Sequence, residues 1–366
     1  MKIAIDISQI VYEGSGVSRF TNGLVRAICQ YDTQNEWVFF FSSLRRNLDS
    51  SIEELIKSKG HTLIKSKLPP TLLSFIWNQM HFFPIDSIVG KVDWVITSDW
   101  SEPPTKSKKA TIVHDLVYLK YPETVDESIL KTQERRLRWV QKESTIIFAD
   151  SDTTKIDLES LLNINRNRIA VNYPGITMNN ELRIKDYREK AERPFILTVG
   201  KLEPRKNLEK LVKAFNSLNQ TKVDLYIVGM DGWGNVAVEQ SPQIKLLGFV
   251  SDEKLAELYQ TCLFSVAPSI YEGFGYPVVE AMSYGTPVAT SNSSSLREVA
   301  GSAALLFDPH DEDSIAKALQ KLISTASLRT SLSKKGLIRA KDFTWKKYYD
   351  TMIKVLSSLP AGRQVR

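Results

Sequence analysis

Two carboxylates eight positions apart, Glu272 and Glu280, bracket a glycine-rich turn in "SIYEGFGYPVVEAMSYG", residues 269–285. A plain connection between two apolar runs needs one glycine and no acids. The preceding "LFSVAPS" reads as a strand, so Tyr271-Glu272-Gly273-Phe274-Gly275 falls at its C-terminal end. Open parallel sheets bind ligands at that edge. Pro277 suits the first helical position, Gly285 and Pro287 stop the helix, and Glu280 then lies in its first turn. Singly, Glu280 reads as an acid stabilising a helix N-terminus and Glu272 as a solvated loop residue. Together, with glycines exposing backbone N–H groups, they point to a site that holds hydroxyls, in a sugar or a nucleotide.

A cationic counterpart lies in "TVGKLEPRKNLEKLVKAFNSL", residues 198–218. Leu208, Leu211, Val212, Phe215 and Leu218 recur at helical spacing, with Asn207 as the N-cap. Arg205 and Lys206 therefore precede a helix N-terminus, where a cation costs about 0.3–1 kcal/mol unless an anion joins it. A guanidinium, an ammonium and backbone N–H groups make a diphosphate seat. The plain alternative is a solvated pair offset by Glu203 and Glu209.

Two further places fit the same chemistry less sharply. In "YEGSGVSRF", residues 12–20, Gly14 and Gly16 begin a dinucleotide-type turn, but Arg19 takes the position of the third glycine. That weakens a dehydrogenase reading and leaves Gly16 able to approach a phosphate. His114-Asp115 ends the apolar run "ATIVH" at another ligand edge. No HExxH, Cys-x-x-Cys or Asp-x-Asp arrangement stands near it, so nothing visible calls for a metal. A Gly-x-Ser-x-Gly elbow and a P-loop are also missing from the sequence.

The elements that must carry these residues alternate along the chain. Apolar runs at 2–8, 36–42, 94–97, 110–114, 145–149, 168–172, 194–199, 222–228, 263–267, 287–290 and 303–307 are separated by helical patterns. That order predicts parallel sheets covered on both faces, in more strands than one open sheet holds. The expected division is residues 1–175 and 176–343, with a boundary near 175–190. The helix pattern at 344–359 crosses back to the first domain, and 360–366 reads as a disordered tail.

Composition bounds the rest. The 366 residues are 42% hydrophobic, and no apolar run is long enough to span a bilayer. Two distant cysteines, Cys29 and Cys262, suit a reducing, cytoplasmic setting. The net charge of +6 asks for an anionic partner, but no nucleic-acid motif is present. The basic stretch "KTQERRLRWVQK", residues 131–142, carries Leu137, Trp139 and Val140. It reads first as a solvated helix face and second as a patch for an anionic membrane surface.

Taken together, "SIYEGFGYPVVEAM" resembles the Glu-x7-Glu motif of retaining GT-B glycosyltransferases, and "VGKLEPRKNL" resembles their diphosphate-binding stretch. "VHDLVYLKYPE", "LGFVSDEKLAELY" and "GTPVATSNSSSLREVAGSAALLFDP" resemble the GT4 family in order and spacing. The resemblance implies an α/β, GT-B fold of two Rossmann-like domains facing across a cleft, acceptor side first and donor side second. It implies that Arg205 and Lys206 hold the donor diphosphate, with Gly16 lining the phosphate side. Glu280 would hold the ribose, and Glu272, Phe274, Gly275 and Tyr276 the transferred sugar. His114 and Glu272 would lie at the reacting centre. Lys201 stands where many relatives carry arginine, so a bidentate contact is lost there.

No metal or cofactor is implied, the nucleotide sugar being a substrate. "WNQMHFFP" and "VHDLVYLKYPE" look most like mannosyltransferases of surface-polysaccharide and lipopolysaccharide assembly, which implies GDP-mannose as donor and a saccharide or lipid-linked acceptor. Peripheral contact with an anionic membrane fits that setting. The competing expectations are a nucleotide-sugar epimerase and a non-catalytic nucleotide-sugar-binding assembly protein.

Overall fold

A computed structural model describes residues 1–12, 14–177, 193–219, 222–232, 234, 236 and 241–359. The expected tail at 360–366, and most of the expected boundary at 175–190, lie outside the described residues. The chain forms two compact units. One comprises Met1–Pro122, Glu127–Gly175 and the C-terminal helix Trp345–Ser358; the other comprises Glu123–Asp126 and Ile176–Thr344.

The first unit is built on a seven-stranded parallel sheet. Its strands are β1 (Lys2–Asp6), β2 (Glu36–Ser42), β3 (Thr62–Ser66), β4 (Trp94–Ser98), β5 (Lys108–Val113), β6 (Ile146–Ala149) and β7 (Ile169–Val171), in the order β3-β2-β1-β4-β5-β6-β7. Runs such as "WVFFF" are buried on both faces, as a sheet between two helical layers requires. The second unit has six parallel strands: β8 (Phe195–Val199), β9 (Asp224–Val228), β10 (Ile244–Gly248), β11 (Phe264–Ala267), β12 (Val288–Ser291) and β13 (Ala304–Phe307). Their order is β10-β9-β8-β11-β12-β13.

Strand order reverses between β1 and β4 in one sheet and between β8 and β11 in the other. At such a switch point the loops diverge beyond the carboxyl ends of neighbouring strands and leave a crevice. The loop that reaches Gly16 follows β1, and the loops holding Arg205 and Glu272 follow β8 and β11.

The helix Trp345–Ser358 buries Trp345, Tyr348, Met352 and Leu356, one stripe at helical spacing. Phe20, on the helix Gly16–Tyr31, meets Trp345 and Tyr348 edge-on at 5.5 and 5.4 Å between centroids. Gly23 on that helix is a close-approach position. A Cβ there would come within 2.1 Å of the Trp345 ring. Gly23→Ala is therefore expected to lower the urea midpoint. Overpacking costs about 1–3 kcal/mol, against the ~1 kcal/mol that alanine gains inside a helix. Trp345→Leu in the same chain should restore part of the loss.

Candidate functional site

In the second unit, Pro204–Lys206 form one 3-10 turn after β8, and the helix Leu208–Ser217 follows. Asn207 holds the N-cap position with φ 58°, but its side chain does not cap the helix as the sequence suggested. Its amide turns inward and donates to the carbonyls of Pro268 and Pro309 at 3.1 and 2.8 Å. Asn207 therefore fastens the Arg205-Lys206 turn to the loop after β11. The Ile270 N–H adds a second tie, donating to the Arg205 carbonyl at 2.8 Å.

These ties bring Arg205, Lys206 and Glu272 together. Arg205 Nη1 lies 2.8 Å from Glu272 Oε2, and its Nε lies 2.9 Å from Glu203 Oε2. Lys206 Nζ is 2.5 Å from Glu272 Oε1, which also accepts from Ser269 Oγ at 2.7 Å. Glu272 is buried rather than solvated. Burial alone would raise its pKa, but Lys206 and then Arg205 outweigh that and hold it down to about 2. The backbone is fixed as firmly. The Glu272 N–H donates to Ser294 Oγ at 3.0 Å, and Ser295 Oγ donates to the carbonyls of Glu272 and Phe274 at 2.8 and 3.0 Å. The serine run 293–295 could have suggested this bracing.

A small pocket lies here, lined by Gly200, Lys206, Ser269, Glu272 and Gly275 among others. Gly275 has φ 102°, and a Cβ on it would fall 2.6 Å from Leu296, so a side chain there is strained twice over. Phe274 is buried, its ring edge-on to Tyr276 at 5.2 Å and to Phe343 at 5.4 Å. Tyr276, half-buried, starts the helix Tyr276–Ser283. Pro277 is thus its second residue, not its first, and Glu280 lies past the first turn rather than in it. The left-handed Gly275 is what lets the helix begin one residue early. Glu280 Oε2 accepts from the Tyr259 hydroxyl at 3.2 Å, a partner on a different helix, Asp252–Thr261.

Gly16 and His114 belong to the other unit. Gly16 is exposed at the start of its helix, where Ser15 is the N-cap and accepts from the Ser18 N–H at 3.1 Å. His114 follows β5. Its Nδ1 lies 2.7 Å from Asp150 Oδ2 and its Nε2 3.0 Å from Ser98 Oγ, so both ring nitrogens are engaged. Burial pulls the His114 pKa down, but Asp150, with Asp99 and Asp115 behind it, outweighs burial and raises it. Sequence reasoning missed Asp150. The signal was there in the register, since Val113 pairs with Ala149 and the next residues along are His114 and Asp150.

Residues 179–339 match the family described as glycosyl transferases group 1. The chain is a glycosyltransferase with a group 1 domain. Along nearly its whole length it is similar to the O-antigen chain mannosyltransferase B of Escherichia coli, at 27% identity over 374 residues, covering 94% of this chain and 96% of that one. Among solved structures it is similar to sucrose-phosphate synthase from Thermosynechococcus elongatus, with a TM-score of 0.73 at 19% identity and 98% of each chain covered. It is also similar to Anabaena HepE in complex with UDP and glucose, with a TM-score of 0.68 at 16% identity, covering 98% of this chain and 100% of that one. These likenesses give the glycosyltransferase its GT-B fold.

The Asp150–His114 pair of the glycosyltransferase can be tested without knowing the substrate. Asp150→Asn should lower the His114 pKa, because an opposite charge at hydrogen-bond distance is lost. The His114 Cε1–H titration by NMR reads this directly. An unchanged titration would show that Asp150 does not hold the proton on that ring.

Proposed function

We propose that the enzyme moves a mannosyl unit from GDP-mannose, with retention of anomeric configuration, to a saccharide or lipid-linked acceptor of surface polysaccharide. The reading rests on one observation above the others: Arg205, Lys206 and Glu272 meet at the sheet's switch point, beside a helix N-terminus. The mannosyl and O-antigen parts draw support from the full-length likeness to an O-antigen chain mannosyltransferase.

Cleaving the bond between the sugar's anomeric carbon and the diphosphate puts positive character on the sugar and negative charge on the departing oxygen. Arg205 and Lys206 would receive that charge, with the helix N-terminus behind them. Glu272 would grip a hydroxyl of the transferred sugar, with the backbone at Phe274, Gly275 and Tyr276 beside it, and Glu280 would grip the ribose. Gly16 would approach the phosphates and His114 the reacting sugar. The acceptor oxygen then bonds to the anomeric carbon on the face the phosphate leaves, and its proton passes to the leaving phosphate. On this reading no metal ion or cofactor is required, and turnover continues in EDTA. A cytoplasmic setting supplies the nucleotide sugar.

Screening GDP- and UDP-sugars by thermal shift tests the donor. GDP-mannose should raise the Tm of the wild type and not of Lys206→Ala. A shift with UDP-glucose alone would overturn the donor but leave the transferase. NMR of the product anomer tests retention, and an inverted product would overturn the mechanism.

A further inference from the structure

Asp150 holds His114 with one carboxylate oxygen, while the other, Oδ1, is buried with no hydrogen-bond partner among the described residues. The Tyr348 hydroxyl, on the C-terminal helix Trp345–Ser358, is also buried without a partner. Asp150 is 3% exposed and Tyr348 1%. Orphaned polar atoms are rare and costly in a folded interior, and each one calls for an explanation. These two are complementary, since a carboxylate oxygen accepts and a phenol donates.

Three contacts bring Tyr348 to the His114–Asp150 pair. Phe20 packs edge-on against His114 at 4.6 Å between centroids and against Tyr348 at 5.4 Å, so one ring touches both. Asn172, just past β7, donates its backbone N–H to the Ala149 carbonyl at 2.9 Å and its side-chain Nδ2 to the Tyr348 carbonyl at 3.1 Å. Residue 348 is therefore fastened one side chain away from the end of β6, where Asp150 follows. All of these residues belong to the first unit. The Asp150 charge is felt at the phenol. Burial first, and Asp150 second, push the Tyr348 hydroxyl well above its ordinary pKa, so it keeps its proton and remains a donor.

We infer that Tyr348 is a positioning residue for His114, acting through one buried water that bridges its hydroxyl and Asp150 Oδ1. The two atoms do not bond directly, because each lacks a partner within hydrogen-bond distance. A water that accepts from the phenol and donates to the carboxylate satisfies both, as interior waters do for otherwise orphaned groups. Asp150 is then held from two sides, by His114 at Oδ2 and by the water at Oδ1. That grip keeps the imidazole turned with Nδ1 toward Asp150 and Nε2 toward Ser98 Oγ. The consequence for sugar transfer rests on the proposed place of His114 at the reacting sugar; the proton chemistry does not.

The bridge also sets the sign of an effect. A carboxylate that shares its charge with a water pulls less on the imidazole proton. Without the water Oδ1 is uncompensated, most of all when His114 is neutral, so the protonated ring is favoured. The other charges facing the pair are Asp99 from the loop after β4 and Asp115 beside His114, with Arg136 facing Asp99. A change at Tyr348 alters none of them.

Tyr348→Phe in the full chain keeps the ring against Phe20 and removes only the hydroxyl. The His114 Cε1–H titration by NMR should then move to higher pH, opposite in direction to Asp150→Asn. In Asp150→Asn/Tyr348→Phe the phenylalanine should add nothing, because the carboxylate through which Tyr348 acts is gone. A tyrosine that only fills space would leave the titration where it was, and that result overturns the inference. So does a shift of equal size in the presence and absence of Asp150. In turnover, kcat should fall roughly three- to tenfold, the loss of one hydrogen bond, with the donor KM unchanged. A titration that moves while kcat holds supports the link and counts against the place of His114 at the sugar. Should Tyr348→Phe fail to fold, a high-resolution crystal structure of the wild type decides. A water within hydrogen-bond distance of both Asp150 Oδ1 and the Tyr348 hydroxyl supports the bridge, and a dry gap between them overturns it.

Discussion

Glu272→Gln is expected to tighten the hold on a free nucleoside diphosphate while slowing sugar transfer. The two effects have opposite signs for one reason. Glu272 is the anion that Arg205 and Lys206 face, at 2.8 and 2.5 Å. A diphosphate arriving at those cations shares them with the carboxylate. Glutamine keeps the shape and gives up the charge, so both cations turn wholly to the ligand. Binding of GDP should strengthen roughly tenfold, about 1.4 kcal/mol. A sugar hydroxyl, by contrast, would lose a charge-assisted hydrogen bond worth about 1.5–3 kcal/mol, and kcat/KM should fall roughly 10- to 150-fold. Calorimetry with GDP and steady-state transfer read the two separately. A variant that merely collapses the loop would weaken both, and that outcome would refute the shared-cation account.

The same substitution should change acid sensitivity. Lys206 and Arg205 hold the Glu272 carboxyl down to about 2, below the 4.5 usual for a glutamate. A depressed carboxylate stabilises the folded state above its unfolded pKa, and that contribution is lost as pH falls through the folded one. For Glu272 it amounts to on the order of 3 kcal/mol at neutral pH, fading between about pH 4.5 and 2. In Glu272→Gln the second unit should lose that part of its acid sensitivity. At neutral pH it should melt lower, because two half-buried cations lose the carboxylate between them while Arg205 keeps Glu203, and GDP should recover the loss by binding only the folded form.

The fold class and the transferase family were both legible, because they rest on patterns that survive without tertiary detail. Continuous apolar runs such as "WVFFF" and "FILTV" announce strands buried on both faces. The two strands the sequence did not reveal, β3 and β10, are the outer strands of their sheets. An outer strand has one neighbour and a wetter surface, so "TLIKS" and "IKLLG" carry lysine and exposed positions where a central strand would be apolar. Motif spacing placed Arg205 and Lys206 just before a helix and Glu272 beyond the end of a strand, where the structure has them. It could not show that the carboxylate faces the cations, because that contact depends on Asn207 tying two loops 61 residues apart. Asp150 was hidden for a similar reason: a lone aspartate at a strand end acquires meaning only from the register beside it.

Glu102→Leu is expected to be the most destabilising single change in the first unit, although no motif includes it. Glu102 is fully buried, as is Lys109, and Arg136 is nearly so. The carboxylate accepts from Thr97 Oγ1 at 3.0 Å and Thr111 Oγ1 at 2.9 Å, with Lys109 Nζ and Arg136 Nε each 3.6 Å away. Removing it takes that carboxylate from two buried cations, leaving Lys109 with Glu143 at 2.6 Å, at a cost of about 3–5 kcal/mol. The threonine hydroxyls suffer less, since Thr111 also meets Ser144 Oγ at 2.7 Å and Thr97 at 3.1 Å. Glu102→Gln should therefore lose nearly as much as Glu102→Leu, because charge rather than shape is missing. Adding Lys109→Met to Glu102→Leu should recover part of the loss, since one of the two cations that lost Glu102 is gone and the partly exposed Glu143 keeps His81 at 2.7 Å. In urea the transition of the first unit should move while that of the second holds its midpoint. If the double variant is less stable than Glu102→Leu by the full cost of losing Lys109, the buried charges are not coupled.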